Sequence, residues 1–568
     1  MPTAVELAAH NAKLPPPLPE PAAEDFESAC SDELSTPPTA PGTPRNASLA
    51  APGKVPNFAA RASVAADLAT KEATKPTRAA KAHEAPEAEA APSMGIFIAT
   101  IIGYITMIGW GLIREGFRAV FVADPDLQPT EGFAKLATGA TDFFSRRVYR
   151  RIRDCWNRPI NTRAGRVIGV MERKSDPGNR KFELTGNTIP CVNLASYNYL
   201  GFSEDIPSVT EDNLTALEQY GTGACASSQE GGQSQVLKEL EVETAQFVGK
   251  EAAVVYAMGF VTNFSGLAPL FCDQTLVVSD SLNHASLVLG IRASVGRVKV
   301  FKHNDLGSLE RTVRRSIIDG QPRTHRKWKR IVILVEGIYS MEGEILDLPR
   351  VVEIKKKYRC LLYVDEAHSI GALGATGRGV CEHCGVDPAD VDLLMGTYTK
   401  SFGSIGGYIA GPAKLIADLK RYSGASLVGD TLHSAAAQQA LSSLKVMQGK
   451  DGTTIGRDKI ARLKDNASFI REELRKRDML VLGESESPVV PVMVYEYHKL
   501  AMFSRECLKR NVAVVVVGYP ATDPFEMRAR LCISAAHTRA DMQRAIDAID
   551  AVADVVGVRY ALPWPFRK

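Results

Sequence analysis

Leu361-Leu362-Tyr363-Val364-Asp365-Glu366-Ala367-His368-Ser369 and Val391-Asp392-Leu393-Leu394-Met395-Gly396-Thr397-Tyr398-Thr399-Lys400-Ser401-Phe402-Gly403 decide how this chain is read. Each segment opens on a short apolar run and then turns polar. Leu361–Val364 and Val391–Met395 have the length and unbroken apolarity of strands buried on both faces of a parallel sheet. Ligands of open α/β sheets sit beyond the carboxyl ends of the strands, and both polar segments fall there. The first places a carboxylate and an imidazole, Asp365 and His368, close together. The second places one lysine, Lys400, among Thr397, Thr399, Ser401 and glycines.

A lysine for a Schiff base, an acid for a pyridine nitrogen and hydroxyls for a phosphate are the needs of pyridoxal 5'-phosphate. Asp365 can keep the ring nitrogen protonated, because a nearby carboxylate favours the charged form of a base. Lys400 can carry the Schiff base, and Thr397 and Thr399 can serve the phosphate. A lone lysine after a strand is usually solvated, and a lone Asp at a strand end is often a helix cap. The reading rests on the two occurring together, in this order and with these flanks.

The pair resembles the signature of the α-oxoamine synthase family of fold-type I pyridoxal phosphate enzymes, most of all its lysine-bearing, membrane-associated subunits. The likeness runs from about Tyr149 to His537. It implies an α/β fold: a fold-type I PLP-dependent transferase with a large domain, a mostly parallel seven-stranded sheet, and a smaller C-terminal α/β domain. It implies a cofactor site built from Lys400, Asp365, His368, His284, Ala367, Thr397, Thr399, Ser340, Gly259 and Phe260. In that site His284, in Asn283-His284-Ala285-Ser286, stacks on the pyridine ring and Ala367 packs on the opposite face. His368 and Ser340 approach the ring hydroxyl. Gly259 and Phe260 open a helix, and helix N-termini bind phosphate well. Arg530 takes the place of the arginine that holds the amino-acid carboxylate. Tyr197 lies in a segment at the mouth of the site, and Thr522 in a loop near the acyl-CoA. The implied catalytic residues are Lys400, His284 and Asp365. The implied substrates are L-serine and palmitoyl-CoA, condensed with loss of CO2. The implied partners are a homologous subunit without the lysine, in a heterodimer, and small regulatory membrane subunits.

At 568 residues the chain is long enough for more than one domain. Its net charge of +3 makes no electrostatic case for nucleic acid. Among 10 scattered cysteines only Cys381 and Cys384 form a Cys-x-x-Cys pair, with His383 as the one further ligand nearby. They read as free thiols of a reducing compartment, and no metal site is expected. Residues 1–93, rich in Ala, Pro, Glu, Ser and Thr, read as a disordered tail. Met94 to Ile113 is uncharged and rich in isoleucine, and as a helix it would rise ~30 Å, about the hydrocarbon thickness of a bilayer. It is taken as a helix that either spans the membrane or lies in its interface; a buried core helix is the competing reading. Arg114, Arg118, Arg146, Arg147, Arg150, Arg151 and Arg153 follow it and favour a cytosolic catalytic domain. With the resemblance, this points to the endoplasmic reticulum membrane. Residues 114–190 are taken as a basic linker and N-terminal arm, 191–445 as the large cofactor-binding domain and 446–568 as the small C-terminal domain. Strands are expected at Ala252–Tyr256, Thr275–Ser279, Val298–Phe301, Ile331–Val335, Ser404–Ile409, Val489–Val494 and Val512–Val517.

The chain also departs from the family pattern. Ser227-Ser228-Gln229-Glu230 and Gly232-Gln233-Ser234-Gln235-Val236-Leu237 stand where an arginine and a Gly-Asn-x-x-x-His segment are usual. Thr431-Leu432-His433-Ser434-Ala435 replaces a pair of prolines, and Asp523 alters the loop of Thr522. The first departure leaves room for a non-catalytic scaffold subunit. A synthase using glycine or alanine is the other alternative, weighed down by the membrane segment.

Overall fold

The computed structural model of the protein describes residues 92–121, 132, 148–176 and 179–561. The tail expected over 1–93 thus lies outside the described residues except for its last two, as does most of the linker between 122 and 147. The apolar stretch forms one helix, Met94–Phe121, which runs on past Ile113 through the first arginine. Only 17% of its most apolar window is buried, which is not how a core helix sits. Among the described residues it is the one helix long and apolar enough to cross a membrane. One side of it is anchored: Tyr104 Oη donates to the Pro524 carbonyl at 2.6 Å, and the Phe97 and Tyr104 rings pack on Phe525.

Two sheets follow. The smaller is assembled from both ends of the described chain. β1 (Val167–Ser175) and β2 (Phe182–Leu194) form an antiparallel hairpin. β2 then pairs in parallel with β11 (Val512–Val517), which leads through β12 (Arg528–Cys532) to β10 (Val489–Met493). The hairpin lies within residues read as linker and arm, and the boundary expected at 190/191 falls inside β2. Only Ile168–Val170 and Cys191–Leu194 are buried; the rest of both strands is partly or fully exposed. The alternation that marks a half-buried strand is therefore diluted.

The larger sheet holds β3 (Ala252–Tyr256), β4 (Thr275–Asp280), β5 (Arg297–Phe301), β6 (Arg330–Glu336), β7 (Leu361–Asp365), β8 (Leu393–Thr397) and β9 (Gly407–Gly411). Its order is β3-β9-β8-β7-β6-β4-β5, and β9 runs antiparallel to both its neighbours while the other pairs are parallel. This is the seven-stranded, mostly parallel sheet expected. Ile333, Val335, Leu362 and Val364 enter one apolar layer; Val332, Leu334 and Tyr363 enter the other. Burial on both faces is why these strands read as unbroken apolar runs. Each such Val, Leu or Ile contributes roughly 1.5–3 kcal/mol.

β8 starts at Leu393, later than the Val391 expected from apolarity. Asp392 is the reason. Its carboxylate accepts from the Leu362 N–H at 2.7 Å and pairs with Lys355 at 2.9 Å, so the residue acts as a joint at the foot of the strand. The carboxyl ends of the parallel strands β4, β6, β7 and β8 bring Asp280, Glu336, Asp365 and Thr397 to one edge of the sheet.

Gly396 sets how β8 meets β9. It pairs with Tyr408, whose ring lies against the position a side chain at residue 396 would take. That ring is 1% exposed and wedged against Tyr398, so it cannot swing away cheaply. Gly396→Ala is expected to destabilise the protein by about 1–3 kcal/mol through overpacking. A lowered midpoint in thermal unfolding of the purified protein checks this; an unchanged midpoint would show that the ring relaxes.

Candidate active site

Asp365 ends β7 beside Glu336, its partner in register at the end of β6. It is buried, and both oxygens are engaged. Oδ2 accepts from Asn263 Nδ2 at 2.7 Å, and Oδ1 from the Ala367 N–H at 2.8 Å. Asn263 is itself oriented: its Oδ1 accepts from Tyr363 Oη at 2.7 Å, and its Nδ2 also reaches Ser286 Oγ at 3.0 Å. Asn263 was not singled out from sequence. Its signal is the one amide side chain of the helix Gly259–Leu267, where it is buried.

His284 caps the helix Ala285–Ala293. Its Nδ1 accepts from the Ser286 N–H at 3.2 Å, which leaves the ring proton on Nε2. Its backbone N–H donates to Glu336 Oε1. Burial lowers the imidazole below its usual range; Asp365 opposes this while Lys400 and Arg530 add to it. His368 is buried at the start of the turn after Ala367. Tyr199 Oη lies 2.7 Å from its Nδ1. Burial, then Lys400, Arg530 and His284, push it well below the usual histidine range, so it is a neutral ring. Nδ1 is thus engaged by Tyr199, and Nε2 is the ring nitrogen left for a ligand. Tyr199 lies two residues beyond Tyr197 and carries no role from the sequence. Burial and the neighbouring Asp365 push Glu336 well above the usual carboxylate range.

Lys400 follows β8. Desolvation brings its amine down to about 8, against the pull of Asp365 and Glu336 and with the help of Arg530. Its Nζ lies 5.5 Å from the centre of the Tyr197 ring, and the Arg530 guanidinium carbon lies 4.6 Å from the same ring. Tyr197 also meets His368 edge-on at 5.3 Å. Thus Lys400, Tyr197, Arg530 and His368 form one cluster, although they come from four separate parts of the chain.

Arg530, on β12, is 5% exposed. Its neighbour Arg528 is paired with Glu342 and Glu526. Among the described residues, no carboxylate pairs with Arg530. Its Nη1 touches Met341 Sδ at 3.6 Å and its Nε is buried without a hydrogen-bond partner. A buried guanidinium left in this state is suited to an incoming carboxylate.

Thr397 Oγ1 lies 2.6 Å from Thr399 Oγ1 and donates to the Gly406 carbonyl at 2.8 Å. A methyl group at Gly259 would come within 2.8 Å of the Thr397 hydroxyl. The first N–H groups of Gly259–Leu267, including those of Gly259 and Phe260, have no partner within the helix. Hydroxyls and free amides meeting across a glycine make a cradle for a phosphate. Ala367 is partly buried on the apolar layer beneath. Ser340 and Thr522 are less closely tied. Ser340 is partly exposed on the loop after β6, and Thr522 has a buried, unpartnered hydroxyl on the loop after β11. Among the described residues neither hydrogen-bonds to another candidate. The departing segments are used structurally: Gln233 donates to Glu241, Ser227 bridges to Asp430, and His433 caps the helix Ser434–Met447. The donor set as a whole fits a flat phosphorylated pyridine, with an acid for its nitrogen and an amine for its aldehyde.

The model of the family described as aminotransferase class I and II matches residues 189–549. The chain is 48% identical over 460 residues to serine palmitoyltransferase 2 of Dictyostelium discoideum, covering 81% of this chain and 94% of that one. It is 47% identical over 463 residues to long chain base biosynthesis protein 2a of Arabidopsis thaliana (82% and 94%) and 42% identical over 471 residues to human serine palmitoyltransferase 3 (82% and 84%). Among solved structures, a Sphingomonas wittichii serine palmitoyltransferase superposes with a TM-score of 0.61 at 25% identity, covering 69% of this chain and 93% of that one. A serine palmitoyltransferase solved with PLP gives 0.61 at 26% identity with the same coverage. The chain belongs to the serine palmitoyltransferase family.

Acylation of Lys400 in the cofactor-free protein, read by peptide mass spectrometry, should be half-maximal near pH 8. Asp365→Asn removes a charge that raises the amine, so its midpoint should fall further. A midpoint near that of exposed lysines, about 10.4, would refute the desolvated site.

Proposed function

We propose that this chain is the lysine-bearing catalytic subunit of a serine palmitoyltransferase. It condenses L-serine with palmitoyl-CoA to 3-ketodihydrosphingosine, CoA and CO2, the entry step of sphingolipid synthesis. The observation that carries this is the convergence of Lys400, Asp365 and an unpaired, buried Arg530 around Tyr197. Pyridoxal 5'-phosphate, when bound, supplies an electron sink that stabilises negative charge at the serine α-carbon for attack on the thioester.

The chain's own residues do the rest. Thr397, Thr399 and the N–H groups of Gly259 and Phe260 would hold the phosphate. Asp365, oriented by Asn263 and the Ala367 N–H, would hold the proton of the ring nitrogen. His284 and Ala367 would flank the ring, and His368 and Ser340 would serve its hydroxyl. The Arg530 fork binds the serine carboxylate by two parallel hydrogen bonds. Lys400 takes the α-proton on Nζ; an amine brought down to about 8 is partly neutral at physiological pH and able to accept it. The Nε2–H of His284 donates to the substrate carboxylate or the developing oxyanion, an electrostatic role. Thr522 lines the approach of the acyl-CoA.

Apolar surface beside the site supports a heterodimer with a homologous subunit that lacks the lysine. Met258, Phe260, Leu282, Leu427 and Val428 are all exposed, and Val428 is 87% so. Exposed large apolar groups on elements that pack together, as the helices Gly259–Leu267 and Gly424–Val428 do, mark an interface. The unburied face of Met94–Phe121 supports membrane association, in the endoplasmic reticulum with the catalytic part cytosolic, and offers a surface to small regulatory membrane subunits.

The test is the visible absorption spectrum of the purified complex, with and without amino acid. L-serine should shift the cofactor band, and glycine or alanine should not. Lys400→Ala should abolish condensation in an otherwise intact complex; retained activity would move the chain to the scaffold role. Arg530→Lys should raise KM for serine at least about tenfold, because an ammonium cannot reproduce the planar fork.

A further inference from the structure

Phe301-Lys302-His303-Asn304-Asp305 leaves the end of β5, away from the residues assigned above. The His303 ring is enclosed between two carboxylates. Its Nδ1 lies 2.8 Å from Asp280 Oδ1, its Nε2 lies 3.5 Å from Glu344 Oε2, and its ring meets Tyr339 edge-on at 4.3 Å. The first contact is a good hydrogen bond; the second is an ion pair at the limit of hydrogen-bond distance. Asn304 grips the same two acids: its N–H donates to Asp280 Oδ2 at 3.1 Å and its Nδ2 to Glu344 Oε2 at 2.9 Å. Burial works against charge on His303, but the hydrogen bonds to Asp280 and Glu344 override it and push the imidazole up to about 10. His303 is a cation at physiological pH.

Each acid belongs to a loop that carries part of the active site. Asp280 Oδ1 also accepts from the Leu282 N–H at 2.8 Å, within the turn that delivers His284. In the same turn Ser281 Oγ accepts from the His303 N–H at 3.0 Å. Glu344 lies on the loop after β6, together with Ser340 and with Met341, which touches Arg530. Without the cation, two largely buried carboxylates would lose the positive charge between them, and only Asn304 would still join the two loops.

We propose that His303 is a positioning residue: held between Asp280 and Glu344, it locks the His284 turn to the Met341 loop and so sets His284 relative to Arg530. The inference rests on the reading that His284 and Arg530 face one substrate. It predicts that damage at His303 appears at residues 281–286 and 337–346, and not only around itself.

The test uses the purified complex and the variants His303→Gln and Glu344→Gln. Hydrogen exchange of the cofactor-free protein should be at least about tenfold faster in peptides covering 281–286 and 337–346 in both variants. Acceleration confined to 300–306 would overturn the proposal. In the loaded complex, His303→Gln should raise the serine concentration that half-shifts the visible band and lower kcat about tenfold. In a His284→Ala background the same substitution should cost less than about twofold in kcat, since its cargo is gone. Additive losses would assign His303 a role independent of His284 and overturn the proposal. Should His303→Gln fail to fold, Glu344→Gln, which keeps the Asp280 contact, carries the same test. A parent complex without a serine-responsive band defeats the functional reading. A responsive parent with a His303→Gln variant identical to it defeats the lock alone.

Discussion

A buried carboxylate at the end of a buried strand is the constraint on which the site depends. Asp365 lies at the carboxyl end of β7, next to a second acid, Glu336, in a place stripped of water. Such a charge is tolerated only where it is hydrogen-bonded and faces a cation. Asn263 and the Ala367 N–H meet the first need. Lys400 and Arg530 supply positive charge in the same enclosure. The lysine in turn feels desolvation more strongly than the attraction of both acids, and its proton becomes removable near neutral pH. One arrangement therefore yields an anion able to hold a cationic ring and an amine able to act as a base.

The supporting shell shows how tightly that balance is held. Asn263 is fixed by Tyr363, two residues before Asp365 on the same strand, so strand and helix determine each other's rotamers. His284 is fixed at both ends, by the cap of its own helix and by the hydrogen bond of its N–H to Glu336. Tyr199 holds Nδ1 of His368. Positioning of this kind keeps a site within the small tolerance that catalysis demands. Loops can carry the functional groups because the two faces of the sheet beneath them are packed against apolar layers.

The small sheet contributes Arg530 to the cluster around Tyr197, from a strand near the end of the chain. Its neighbour Arg528 shows what a structural arginine looks like in the same strand: two carboxylates and two carbonyls are bonded to it. Arg530 meets no carboxylate among the described residues: the Met341 thioether, the Tyr197 ring and the Cys532 thiol lie beside it. Two arginines separated by one residue, both buried, thus differ in their partners: Arg528 is tied into the protein by carboxylates, and Arg530 is not.

Much of this was legible in the residues. Unbroken apolar runs followed by Asp365 and Lys400 identify the central strands and the candidate cofactor lysine, because a doubly buried parallel strand needs apolar residues at every position. The uncharged run after Met94 likewise declares a helix for an apolar medium. Other features were decided only by the tertiary structure. The hairpin β1–β2 is exposed along most of its length, so its pattern carried too little apolarity to be seen, and its pairing with β11 depends on residues more than three hundred positions away. The late start of β8 came from the side chain of Asp392. Asn263, Tyr199 and Glu336 became part of the site only when folding gave them partners, since a hydrogen bond between distant residues leaves no local periodicity. The chemistry of Lys400 was written in its neighbours along the chain; its lowered proton affinity was set by neighbours across space.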